Sequence, residues 1–152
     1  MTTGHRQAVG TFTMLLGLVV ALTLVLAACH GAGGGQVDAS QSGTTIGKIA
    51  KSELGPGKSA SGIFDLEPGK YVLICNLWGH YTDGMYTAFE VIDEADSQGA
   101  TVNVELGEWF VNAGSASVAA GSVTFEVSNR GEQPHEFIII QTDLAPDALT
   151  VK

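Results

Sequence analysis

Short segments in which apolar and polar residues alternate, separated by Gly and Pro, constrain this chain more than any other feature. Thr101 to Leu106 places Val102, Val104 and Leu106 on one face, and Ser122 to Val127 alternates in the same way before the turn Asn129-Arg130-Gly131. A period of two is the pattern of a strand with one face buried. Lys70 to Cys75 follows the turn signal Pro68-Gly69, Met85 to Val91 alternates in part, and Glu136 to Ile140 is a nearly continuous apolar run. Shorter candidates are Ile46 to Ala50, Ser61 to Leu66 and Trp109 to Val111. Roughly six to eight short strands predict an all-β chain folded as an antiparallel sandwich or barrel. With 45% hydrophobic and only 15% charged residues over 152 positions, there is material for one core and one domain.

The first 28 residues read differently. His5 and Arg6 precede an apolar run from Phe12 to Leu26, which ends in Leu26-Ala27-Ala28-Cys29. A weakly positive start, an apolar stretch and small residues at a cut describe a secretory signal peptide over residues 1–28. Leu-Ala-Ala-Cys also resembles the lipobox of bacterial lipoproteins, which implies lipidation of Cys29 and several acyl chains, since one alone anchors only marginally. The competing reading is an uncleaved anchor, because Thr11 to Ala28 is about long enough to span a bilayer. Either way the remainder is exported. The expectation is a lipid-anchored protein at the cell membrane, facing the periplasm or the cell exterior. Residues 29–45 carry Gly31, Gly33, Gly34, Gly35, Ser40, Ser42 and Gly43 and predict a flexible tether, with His30 a solvated linker residue. Residues 46–152 are left as the folded domain.

The net charge is −9, and every basic residue except Arg6 lies after Cys29 with all sixteen acidic ones, so the exported part is more negative still. Nucleic acid is excluded as a partner, since it requires a basic footprint. An acidic surface suits solubility, or steering towards basic partners.

Beyond the tether the chain owns one Cys (Cys75), two His (His80 and His135) and one Met (Met85). One thiolate, two imidazoles and one thioether are the donors of a blue-copper electron-transfer site, with none to spare. Thiolate stabilises Cu(I) and bonds covalently to Cu(II), imidazole suits both states, and a weak thioether discourages the tetragonal geometry of Cu(II). The spacing Cys75-x4-His80-x4-Met85 delivers three donors from one loop at a strand end, while His135 opens the strand at Glu136. Singly, each residue has a plainer reading: a buried thiol, a surface histidine, a core methionine, a turn residue. Together, and with an unpaired Cys in an exported domain, the plain readings are hard to sustain. Zinc competes for a Cys-His-His set, but thioether is a poor zinc ligand.

Cys75-Asn76-Leu77-Trp78-Gly79-His80-Tyr81-Thr82-Asp83-Gly84-Met85 resembles the copper loop of the cupredoxin family. Gly121 to Asn129, followed by His135-Glu136-Phe137, resembles the strand of the remaining ligand. The resemblance covers roughly residues 46 to 145. It implies a cupredoxin-like Greek-key β-sandwich holding one type 1 copper ion, with Cys75, His80 and His135 equatorial and Met85 axial. Three departures stand out. The loop precedes the lone His, so the strand order reads as circularly permuted, with Asp93 to Gly99 as the new linker. A domain-swapped homodimer would explain the same order. Trp78 occupies a position that is often Pro in the family, where it would alter the stiffness of the loop or cap the metal. Glu136 replaces an Asn that ties the ligand loops together.

The expected function is single-electron transfer between redox protein partners at or near the membrane. Its port would be the His80 edge, within an apolar patch of Trp78, Tyr81 and Gly84. The alternative is copper handling without electron transfer, which the single Met of the exported part disfavours. No enzyme is expected: only His30, in the tether, remains for further metal centres, and no G-x-S-x-G elbow is present.

Overall fold

A computed structural model describes Met1 and residues 34–94 and 99–152. All but Met1 of the expected signal peptide, together with Cys29, His30 and residues 95–98 of the expected linker, lie outside the described residues. The elements are a four-residue helix, α1 (Ala39–Ser42), and nine strands: β1 (Thr44–Ile49), β2 (Ser59–Leu66), β3 (Gly69–Ile74), β4 (Tyr86–Ile92), β5 (Ala100–Gly107), β6 (Phe110–Ala113), β7 (Ser117–Ala119), β8 (Gly121–Asn129) and β9 (Phe137–Gln141). They form two sheets, ordered β1-β9-β3-β4-β7 and β2-β8-β5-β6. The all-β sandwich expected from the sequence is the architecture observed.

The sheets are mixed rather than purely antiparallel as expected. β4 runs parallel to the short strand β7, and β5 runs parallel to β8. Antiparallel neighbours need only a hairpin, whereas parallel ones need a crossover. Here the crossovers pass between the sheets, as when the chain leaves β4 in one sheet and enters β5 in the other. β7 has no counterpart among the expected strands: three residues are too few to show a period.

The alternation in β5 and β8 does what its period predicts. Val102, Val104, Leu106, Val123, Phe125 and Val127 all face the core between the sheets. Phe125 sits at its centre, with ring centroids 5.3 Å from Phe137, 5.6 Å from Phe89 and 6.1 Å from Phe64. β9 explains its own unbroken apolar run. It lies inside its sheet, between β1 and β3, and is buried on both faces. Phe137 and Ile139 point into the main core. Ile138 and Ile140 join Val72, Ile74, Tyr81, Val37 and Leu149 in a second cluster on the outer face.

That outer cluster corrects the expected tether. Residues 34–45 do not behave as a free linker: Asp38 caps α1, Val37 bridges to Val151, and β1 begins at Thr44. Gly35 to Asp38 runs beside the last residues of the chain, with Gln36 N–H on the Lys152 carbonyl and Asp38 N–H on the Thr150 carbonyl. Val37 and Leu149 supply the apolar surface that a Gly/Ser-rich composition conceals.

Candidate metal centre

β3 and β4 form a hairpin whose ladder continues one rung beyond the strands. Ile74 pairs with Tyr86, and the Cys75 N–H then donates to the Met85 carbonyl at 3.0 Å. The loop between them is closed by this rung and folded by bonds of its own: His80 N–H to Leu77 O, Asp83 N–H to Gly79 O and Met85 N–H to His80 O, each 3.0 Å. Gly79 and Gly84 take φ values of 83° and 108°, which side-chain-bearing residues rarely adopt. A Cβ on Gly84 would also approach the Trp109 carbonyl oxygen to 3.3 Å.

His135 arrives through β9. The register Leu73↔Ile139 and Ile74↔Ile138 carries the residues before Phe137 over the end of β3, where Cys75 lies. The loop leading to it is pinned by buried Asn129, whose side-chain amide donates to Leu54 O (2.9 Å) and Gln133 O (2.7 Å), while its Oδ1 accepts from Gly131 N–H (2.8 Å). His135 N–H donates to Leu54 O at 3.1 Å. One chain therefore brings Cys75, His80 and His135 together.

The geometry is a closed triangle. Cys75 Sγ lies 3.4 Å from His80 Nδ1 and 3.9 Å from His135 Nδ1, and the two Nδ1 atoms are 3.2 Å apart. A metal bonded to sulfur at about 2.3 Å and to nitrogen at about 2.0 Å, with the three donors spread evenly in a plane, gives edges of about 3.7 Å and 3.5 Å. The donors present thus match a trigonal His2Cys metal site in type and in spacing. Cys75 and His135 are fully buried, and His80 is 8% exposed, so His80 is the outermost of the three. Met85, also fully buried, is held at the mouth of the same loop by the rung with Cys75 and by its N–H on His80 O.

Burial keeps all three donors neutral. Burial pushes the Cys75 thiol above its ordinary pKa, against the smaller opposing pull of the Glu136 and Leu77 backbone N–H groups. Burial also pushes His80 below its ordinary value, partly opposed by Asp83, Glu108 and Glu136. His135 is lowered by burial and then by His80, with Glu108 acting the other way. These are neutral groups packed together. Cys75, as thiolate, and the neutral imidazoles of His80 and His135 would hold a metal ion, with loss of the thiol proton.

Glu136, at the position of the family's Asn, keeps a tie to the metal loop through its backbone, whose N–H lies 3.4 Å from Cys75 Sγ. Its carboxylate turns to Lys48, 3.4 Å away. Trp78 does not cap the site. It is largely exposed and packs against Gly34. The aromatic ring on His80 is Trp109, edge-on at 5.7 Å, a residue whose sequence context suggests only a strand. Tyr81 is a core residue rather than part of a surface patch. Its hydroxyl donates to Pro146 O (2.8 Å) and accepts from Leu149 N–H (2.9 Å).

The amino-acid sequence matches the sulfocyanin (SoxE) domain family over residues 19–102, more than half of the chain. The chain belongs to the sulfocyanin family. Sulfocyanins are blue copper proteins of the cupredoxin family, so the triangle is a site for one type 1 copper ion. The matched residues include Cys75, His80 and Met85, and the fold supplies His135 from beyond them. No curated protein and no solved structure is matched by this chain. When bound, copper supplies the Cu(II)/Cu(I) couple, and the chain supplies a buried, prearranged donor set.

Cys75→Ser removes the thiolate whose charge transfer to Cu(II) colours such a site. The variant is expected to lose the intense visible band completely while keeping its β-sheet circular dichroism. A Cys75→Ser protein with the band intact would refute the assignment of Cys75.

Proposed function

We propose that this sulfocyanin carries single electrons between redox proteins outside the cytoplasmic membrane, with Cys75, His80 and His135 as the equatorial copper ligands and Met85 as the axial one. The observation that carries the reading is the buried triangle of one sulfur and two Nδ1 atoms, with Cys75 and His80 held by backbone hydrogen bonds within their loop and His135 by one to Leu54. A donor set held in one geometry from both sides leaves little to rearrange when copper changes oxidation state. Burial also argues against copper handling, which requires donors that an exchanging partner can reach. Here Cys75, Met85 and His135 are all at 0% exposure.

The electron port is the His80 side. Trp109 stands against the His80 ring, and Trp109, Phe110 and Trp78 are exposed large apolar residues. This replaces Tyr81 in the expected patch with the β5–β6 turn. An aromatic platform beside the outermost ligand gives a partner a dry contact close to the metal.

The chain is purified with one equivalent of Cu(II) and its visible spectrum recorded. An intense thiolate-to-copper band that ascorbate bleaches and a mild oxidant restores over repeated cycles is the expected result. A protein that loses its copper on reduction would overturn the carrier reading. Met85→Leu is expected to retain copper and raise the reduction potential, by about 59 mV for each tenfold change in relative affinity of the two oxidation states. An unchanged potential removes Met85 from the axial position.

Export and anchoring rest on Leu26-Ala27-Ala28-Cys29. Cys29→Ser is expected to abolish lipid labelling and release the exported domain from the membrane fraction. Retention of Cys29→Ser in membranes would favour an uncleaved apolar anchor.

A further inference from the structure

With Nδ1 of His135 turned into the triangle, the ring proton belongs on Nε2. That Nε2 is buried and has no hydrogen-bond partner among the described residues. A buried donor left without an acceptor is expensive, about 1–3 kcal/mol. The Glu108 carboxylate stands beside it, with Oε1 3.6 Å from His135 Nε2.

Glu108 is built into this position. It is the first residue of the turn between β5 and β6, and the next residue, Trp109, is the only non-glycine residue with positive φ (72°) among those described. Left-handed backbone at a bulky residue is strained and clusters at functional sites. Here it sets adjacent side chains on the two imidazoles, Trp109 on His80 and Glu108 beside His135. Glu108 Oε1 also accepts the backbone N–H groups of Glu132 and Gln133, each at 2.9 Å. These two bonds hold the carboxylate, 30% exposed, beside His135. Gly131 makes the close approach feasible, since a Cβ there would collide with the Glu108 carboxylate.

We propose that Glu108 is a positioning residue of the copper site: its carboxylate accepts the Nε2–H of His135, fixes that ring's tautomer, and biases the metal towards Cu(II). The inference rests on copper occupying the triangle. The 3.6 Å separation exceeds a formed hydrogen bond by about half an ångström, which a small turn of the ring on ligation would close. An anionic acceptor makes the imidazole a stronger donor, and the more highly charged Cu(II) gains more from it than Cu(I).

The full chain is compared with Glu108→Gln, Glu108→Ala and Glu105→Gln. Glutamine keeps one acceptor oxygen at the same reach, removes the charge and turns the other oxygen into an N–H donor. Glu105, on the same hairpin and paired with Arg130 at the surface, controls for a general loss of negative charge. In the copper-loaded proteins, Glu108→Gln is expected to weaken Cu(II) relative to Cu(I) at least tenfold, which is about 59 mV upward for one electron. Glu105→Gln should shift the potential far less. In the metal-free proteins, nitrogen NMR of the His135 ring at one fixed pH is expected to show the Nε2–H tautomer in the parent and in Glu108→Gln, and a mixture in Glu108→Ala. An unchanged potential in Glu108→Gln overturns the proposal, as does an equal shift in Glu105→Gln. Should no variant hold copper, the copper reading itself fails, and an unchanged tautomer in metal-free Glu108→Ala then overturns the role of Glu108 separately.

Discussion

The pairing of β9 with β3 is the contact on which the copper site depends. Cys75, His80 and Met85 come from one hairpin and need only local structure. His135 lies far along the chain and reaches Cys75 only because Ile138 pairs with Ile74 and Ile139 with Leu73. A slip of one residue would turn β9 over, exchanging Ile138 and Ile140 for Phe137 and Ile139 at the core. The two apolar clusters on either side of β9 therefore enforce the register. The site inherits its accuracy from a strand buried on both faces.

Given that register, the interior still has to tolerate two imidazoles and a thiol. Without a metal these groups are kept neutral by burial, which raises Cys75 and lowers both histidines. Their mutual contacts at 3.2–3.9 Å satisfy them only weakly, since the two that involve sulfur lie at 3.4 and 3.9 Å and a thiol is a weak hydrogen-bonding group. A cation at the centre turns the same crowding into bonding. Binding energy is thus stored in the packing of the protein around the site, rather than in flexible donors that must be gathered each time.

Much of this arrangement is legible in the amino-acid sequence. The strands with clean alternation, β5 and β8, have boundaries within two residues of those expected, because one face is buried and one is wet. The ligand set is legible because Cys75, His80, His135 and Met85 are the only soft or imidazole donors beyond the tether. What stays hidden follows a common physical pattern. β7 and the two parallel pairings depend on partners distant in sequence and leave no local period. The strap at Gly35 to Asp38 has the composition of a linker because its order comes from hydrogen bonds to distant segments and from one apolar side chain, Val37. Glu108 and Trp109 carry no signal at all: a Gly-Glu-Trp-Phe turn is ordinary until the fold sets it over both histidines. Tyr81 misleads in the opposite sense, an aromatic beside a ligand that belongs to the core.

Asn76 shows how the two halves of this support meet. Its side chain exchanges two hydrogen bonds with Val37, accepting from the Val37 N–H at 2.5 Å and donating to the Val37 carbonyl at 3.1 Å. Its own carbonyl accepts from the Gln36 amide at 2.9 Å, and Gly79 N–H reaches the Gly35 carbonyl at 3.1 Å. The strap thus grips the copper loop immediately after Cys75 and immediately before His80. On the other ligand, Asn129 and Glu108 grip the loop before His135. Neither loop is held by its own strand alone, and neither can shift without breaking bonds to a distant segment. Side chains that never touch the metal are therefore what give one-electron chemistry a fixed geometry, with a carboxylate at one end of the arrangement and a carboxamide at the other.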